Sequence, residues 1–235
     1  MTAAANAATE STALDILRTR AARCRDCPLG ALATQTVWGE GSPRTRLMLV
    51  GEQPGDREDR VGKPFVGPAG HLLDRALEAL GWPRAALYVT NAVKHFKYEL
   101  RGRRRMHKTP GQQEILACAH WLQGEIDAIA PAGVVALGST AARSLLGRPV
   151  KVLSERGRWL ERPDGIEVLV TLHPSALLRG NPLERENAFE AWVADLRAAA
   201  PLLEESGGPL SHAAPPPSAP GAAHRTRMAR APGQA

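Results

Sequence analysis

Aromatic residues make up only 4% of this chain, and cysteines number three. An odd, small set of thiols does not build the bridge framework of a disulfide-rich scaffold. No apolar run reaches the roughly 18 residues that a membrane-spanning helix needs. Residues 1–11 are Ala-rich and polar, without the charged start and apolar stretch of a secretory signal. The expected location is therefore cytoplasmic, with no membrane partner. Neither a GxxxxGK[ST] loop nor a GxGxxG fingerprint occurs, so the two commonest phosphate cradles are missing. No internal repeat is visible.

What is present is a basic chain of 235 residues with formal charge +6, long enough for one domain with a sizeable core. The excess suits a polyanionic partner. Four short apolar runs, at 46–50, 87–90, 133–137 and 168–172, read as buried strands. Helical stretches alternate with them. Residues 12–23 read as a short helix. Pro68 to Leu80 has Pro at its start and Gly81 past its end. Thr109 to Gln112 reads as a capping box opening a helix whose apolar face carries Ile115, Ala119, Leu122, Ile126 and Ile129. Ser139 is placed to cap another helix, and residues 184–199 form a last one. The expected fold is α/β, a three-layer α/β/α domain over residues 1–205 with a central, mostly parallel four-stranded sheet. Residues 206–235 form a Pro- and Ala-rich basic tail that cannot bury a core.

Ligands of such sheets sit at the carboxyl ends of the strands. Three segments with chemistry follow those ends: Gly51 to Gly55, Asn91 to His95, and His173-Pro174-Ser175. The first continues into a turn with four carboxylates, Glu52, Asp56, Glu58 and Asp59. Carboxylates there repel phosphate and suit a developing cation or an oriented water. Phe65, set among glycines and prolines at 62–70, is either a ligand contact or a small-core anchor. His173 is either a hydrogen-bonded structural residue or a donor to an anionic leaving group.

Cys24 and Cys27 form a CxxC that does not sit between a strand and a helix, which weighs against a redox pair. Cys118 is a third ligand or a small buried hydrophobe. His95 is the candidate fourth ligand, with His107 and His120 as rivals. Three Cys and one His suit zinc or an iron–sulfur cluster. Residues 94–108 carry seven cations against one acid, with Phe96 and Tyr98 interleaved. That pattern fits a nucleic-acid backbone, with Arg103, Arg104, Arg105 and Lys108 as candidate contacts. His107 lies inside this insertion and is a candidate for more than binding.

Taken together, GEQPG at 51–55, KPFVGPAG at 63–70, VTNAVK at 89–94 and HPSAL at 173–177 resemble the uracil-DNA glycosylase superfamily, and within it the family-4 iron–sulfur enzymes. The likeness spans about residues 20–200. Two departures narrow it. Gln53 stands where family 4 usually has Ala, and His95 where it usually has a cluster Cys. RRRMH at 103–107 is similar to the KRRIH loop of the UdgX group. The resemblance implies a [4Fe-4S] cluster on Cys24, Cys27, His95 and Cys118. It implies that Phe65 stacks on a flipped uracil, with Gly51 and Ser175 lining the same pocket. Asn91 reads the pyrimidine edge, and His173 stabilises the departing anion. Glu52, Gln53 and Asp56 shape the first motif, and Asp59 is a candidate to orient His107. It further implies that His107 captures the sugar after uracil leaves, where an ordinary family-4 enzyme uses water and turns over. The implied partner is uracil-containing DNA, bound by a monomer. Single strands are the expected preference, since extrusion costs least there.

Overall fold

The computed structural model describes residues 13–204. The Pro- and Ala-rich segment from 206 onward lies outside them. The chain begins with helix α1 over 13–21. It then runs through α2 (Leu29–Leu32), β1 (Glu40–Gly41), β2 (Leu47–Gly51), α3 (Asp56–Val61) and α4 (Pro68–Leu80). Strand β3 (Tyr88–Asn91) leads into the hairpin β4 (Tyr98–Arg101) and β5 (Arg104–His107), then α5 (Gln112–Ile129). The second half comprises β6 (Gly133–Leu137), α6 (Ser139–Leu146), α7 (Val152–Glu155), β7 (Arg158–Glu161), β8 (Glu167–Thr171), α8 (Pro174–Arg179), α9 (Arg185–Arg197) and α10 (Ala200–Glu204).

The main sheet has the order β1-β3-β2-β6-β8-β7. Its inner four strands are parallel and the two outer ones antiparallel. The parallel core is thus the four strands expected from the apolar runs. The edge strands β1 and β7 escape sequence reading because a two-residue strand and a charged one such as Arg158–Glu161 carry no apolar run.

Both faces are covered, which is why the inner strands are largely apolar, with Thr90, Asn91 and Thr171 near the carboxyl ends of β3 and β8. Leu47, Leu49, Val89, Val135 and Leu169 pack on one side with Leu73 and Leu77 of α4, Leu177 of α8, and Trp192 and Leu196 of α9. Met48, Val50, Val134, Ala136 and Val170 pack on the other with Leu14 of α1, Leu122 and Ile126 of α5, and Leu145 of α6. A smaller third core joins Ala21, Cys24, Leu29, Trp38, Val93, Ile115, Cys118 and Trp121.

Helix α4 has the bounds expected from Pro68 and Gly81, and Gly81 takes φ +69° as the left-handed C-cap. The start of α5 differs. Its first residue is Gln112, and the cap is the Glu114 carboxylate accepting the Gly111 N–H at 2.6 Å. Thr109 stays outside because its segment runs on from the hairpin, where the Lys108 N–H is bound to the Lys97 carbonyl at 3.0 Å.

Strand β2 is flanked by β3 on one side and β6 on the other, so the chain reverses its direction of travel across the sheet there. A crevice opens at such a switch point, outside the carboxyl ends of the strands. The segments after β2, β3, β6 and β8 all reach it.

Candidate active site

Register brings the first two segments together. Gly51 and Asn91 are Cα partners at the ends of β2 and β3. A Cβ on Gly51 would lie 2.4 Å from Asn91 Oδ1 and 2.6 Å from Phe65 Cζ. Glycine is therefore what lets the Asn91 amide and the Phe65 ring converge over the end of β2, where they frame a candidate slot. Asn91 is 2% exposed, and its Oδ1 is buried without a hydrogen-bond partner. An uncompensated buried oxygen costs free energy. Phe65 adds to that: it holds φ +54°, a left-handed conformation rare for a bulky residue. Strain and an unpaired acceptor in one slot are what a ligand pocket stores.

His173 closes the far side, its ring centroid 6.0 Å from that of Phe65. It is the residue before Pro174 and caps α8. Its Nδ1 accepts from the Ser175 N–H at 3.2 Å and lies 2.8 Å from Ser175 Oγ. Nδ1 is thus an acceptor, and the ring proton sits on Nε2. Burial pushes the His173 pKa down to about 4, so the ring is neutral at pH 7. In the unfolded chain it takes its proton near the ordinary value of about 6.5. Between pH 6.5 and 4 the unfolded state therefore binds more protons, and stability falls as pH falls through that window. Thermal melts across it should show this slope, and His173→Gln should flatten it; an unchanged slope would mean that the ring titrates alike in both states.

Glu52 stands at the crevice. One oxygen accepts from Thr140 Oγ1 at 2.6 Å, across the switch point. The other lies 3.3 Å from His107 Nε2. Burial alone would raise its pKa, but the hydrogen bonds from His107 and Thr140 prevail and hold the carboxyl below its usual range. His107 comes from the hairpin, which turns through Gly102 at φ +60°. The hairpin is tied down at its base by Gln53, a buried amide. Its Oε1 accepts from Lys97 N at 3.0 Å, while Nε2 donates to the carbonyls of Lys97 and Lys108 at 3.2 and 3.1 Å. Gln53 therefore spends its amide on the hairpin.

The remaining acids do other work. Asp59, expected to orient His107, is fully buried and accepts from Thr34 N at 3.0 Å and Arg105 Nη1 at 2.6 Å. It lies on α3, which turns it toward 34 and away from the crevice; the acid at His107 is Glu52. Asp56 pairs with Arg60 at 3.0 Å and Arg105 at 2.5 Å. Glu58 accepts from the N–H groups of Val66 and Gly67 at 3.1 and 2.7 Å, capping α4. Arg105, expected on the DNA, instead pins the hairpin to α3 and lies 5.1 Å from the Tyr98 ring centroid. Alternation along β5 forces this, since Arg105 faces the body of the protein. Arg103 and Arg104 are exposed at the hairpin tip, and Lys108 is exposed beside Glu99 at 2.9 Å.

The three cysteines gather in the third core. Trp121 Nε1 donates to Cys24 Sγ at 3.3 Å, and Lys94 N donates to Cys118 Sγ at 3.2 Å. N–H groups aimed at sulfur are what a thiolate ligand takes up. Without a cation, burial pushes the Cys118 thiol up to about 12. His95 is buried beside them. Thr36 Oγ1 donates to the Ala21 carbonyl at 2.7 Å, so at its 2.9 Å contact with His95 Nε2 it must accept. His95 therefore carries its proton on Nε2 and keeps a lone pair on Nδ1. Burial, reinforced by Arg25, holds the ring below the usual imidazole range, in the neutral form a metal needs. Among the described residues, no three His, Cys, Asp or Glu side chains close to the spacing of a single-ion shell.

The model of the uracil DNA glycosylase superfamily matches residues 38–197. The chain belongs to the uracil-DNA glycosylase superfamily. It is 37% identical over 196 residues to a type-4 uracil-DNA glycosylase of Thermotoga maritima, covering 83% of this chain and 96% of that one. A type-4 enzyme of Pyrobaculum aerophilum is 37% identical over 170 residues, covering 69% and 83%. One from Sulfurisphaera tokodaii is 35% identical over 173 residues, covering 70% and 76%.

In this member of the superfamily, sequence reading missed Thr140 and Gly138. Gly138 takes φ +93° and a Cβ there would meet His173 Cβ at 2.9 Å. Both follow the end of β6, where the run Gly138-Ser139-Thr140 carries no charged or imidazole side chain. No helix among the described residues is long and apolar enough to cross a membrane.

Proposed function

We propose that this chain excises uracil from DNA and that His107 then captures the sugar it leaves behind. One observation carries the reading: Glu52, on the wall of the crevice, holds the hairpin histidine at 3.3 Å through His107 Nε2. A nucleophile and its acid partner thus stand at the mouth of a slot shaped for a flat, hydrogen-bonding base.

Uracil enters the slot flipped from its strand. Phe65 stacks on the ring, and the Asn91 amide, able to donate and accept, reads the pyrimidine edge. Gly51 leaves room for the base, and Ser175 fixes the tautomer of His173. The C1′–N1 bond breaks with its electron pair going to uracil. His173 Nε2–H donates to the developing anion, a neutral donor in a dry site. The sugar becomes an oxocarbenium-like cation beside the Glu52 carboxylate. A ring nitrogen of His107 gives its lone pair to C1′, forming an N–C bond. The ring N–H proton passes to Glu52 and on to solvent. No step then removes the histidine, so one protein stays on each site. Asp56 and Asp59 act in this scheme through Arg105, by fixing the hairpin. Arg103, Arg104 and Lys108 bind phosphates, and single strands are preferred.

Cys24, Cys27, Cys118 and His95 would hold a [4Fe-4S] cluster. It would supply the positive charge that keeps buried thiolates in place, and would join the segment between α1 and α2, helix α5 and the segment after β3.

A labelled uracil oligonucleotide, mixed with the protein and run on a denaturing gel, tests the reading. A slow band that survives boiling supports it. Strand scission after alkali, without that band, means capture by water and a turnover enzyme. Gly51→Ala should slow uracil release about 10- to 100-fold by pushing Asn91 or Phe65 out of place. Wild-type release from Gly51→Ala would sink the slot as the base pocket.

A further inference from the structure

Lys94 counts among the cations of the basic insertion, yet it is fully buried, as is Glu125. Its Nζ donates to Glu125 Oε2 at 2.5 Å, Thr90 Oγ1 at 2.7 Å and the Asn91 carbonyl at 2.7 Å. All three ammonium protons are used, so nothing is left for a phosphate. Glu125 is equally satisfied. It accepts from Tyr88 OH at 2.9 Å, Gly39 N at 3.1 Å and Thr90 Oγ1 at 2.9 Å. The Trp38 ring covers the ammonium, its centroid 5.3 Å from Nζ. The backbone of Lys94 is fixed as well, through its N–H on Cys118 Sγ.

A buried ion pair is weak evidence of stability, since apolar replacements of like volume are often neutral. Its place is more telling. Asn91 ends β3, and its side chain lines the slot with an unpartnered oxygen. An amide with no hydrogen bond of its own on that atom needs its main chain held from elsewhere. Lys94 supplies this with a charge-assisted bond to the Asn91 carbonyl, three residues back along a tight turn.

We propose that the Lys94–Glu125 pair is a positioning device for Asn91, fixing the end of β3 so that the amide meets the edge of the base. The proposal rests on Asn91 reading uracil. Lys94 touches neither base nor sugar, so its effect on excision passes through Asn91.

A double-mutant cycle on the full chain tests it. Single-turnover uracil release is measured for the wild type, for Lys94→Met with Glu125→Gln, for Asn91→Ala, and for the combination. Replacing both charges avoids leaving one buried alone, and melting temperatures confirm folding. The pair variant is expected to release uracil about 10- to 100-fold more slowly than the wild type. On the Asn91→Ala background the same change should matter by less than about 2-fold. Equal losses on both backgrounds would make the pair a structural element only. No loss in the pair variant would also overturn the proposal. If Asn91→Ala itself released uracil at the wild-type rate, the reading of Asn91 would fall first, and that outcome is distinct from additivity. Should the pair variant not fold, Thr90→Val removes the hydroxyl between the two charges and enters the cycle in its place, with the same expected and overturning outcomes.

Discussion

His107→Ala is expected to abolish the boil-resistant adduct completely while uracil release continues. The slot proposed for the base is built from Gly51, Phe65, Asn91 and His173, all of which lie outside the hairpin that carries His107. Removing the imidazole leaves the sugar cation facing Glu52, which keeps its hydrogen bond from Thr140 and has its other oxygen free to orient a water. The abasic site so formed should break under alkali, and the protein should turn over. Glu52→Gln is the companion. It keeps the shape and loses the charge, so capture should slow by about 100-fold, within the range of general-base effects. Both are read on one denaturing gel as a time course. An adduct persisting in His107→Ala would assign the nucleophile to another residue.

Asn91→Ala is expected to slow uracil release by about 100-fold or more, on the scale of losing one preorganised hydrogen-bonding group. It should do so without lowering the melting temperature. Asn91 Oδ1 is buried with no partner, so the folded protein already carries the cost of desolvating it. Deleting the amide removes that cost and offsets the small cavity left behind. Activity and stability should therefore move apart, as they do where a site is built for its ligand and not for the fold. A parallel fall in both, from single-turnover release and thermal melts, would mean that Asn91 supports β3 and reads nothing.

Much of the architecture was legible in the chain. The four apolar runs became the parallel core, with Gly133–Leu137 at the predicted bounds. Pro68 and Gly81 bracketed their helix correctly. Those features are local: burial on both faces forces apolar strands, and Pro and Gly carry their own backbone preferences. The sequence also singled out the segments at 51–55, 91–95 and 173–175, because strand ends in a parallel sheet must converge. Membership of the superfamily was legible in four motifs.

What only the tertiary structure decided is the division of labour among charges. Glu52, Asp56, Glu58 and Asp59 stand within eight residues of one another and look interchangeable as a run. Glu52 stays at the end of β2 and meets His107, while helix α3 rotates the other three apart, so that Glu58 caps α4, and Asp56 and Asp59 share Arg105. Lys94 and Arg105 sit in one basic stretch with Arg103 and Arg104, yet the first is sealed against Glu125 and the second pins a hairpin. A charge has no directional signature in sequence; its role follows from which groups desolvate it, and these come from residues 31 and 46 positions away, at Glu125 and Asp59. Apolar pattern is written along the chain because every core residue answers to the same solvent. Pairing of ions is not, because each answers to one partner that only the fold brings near.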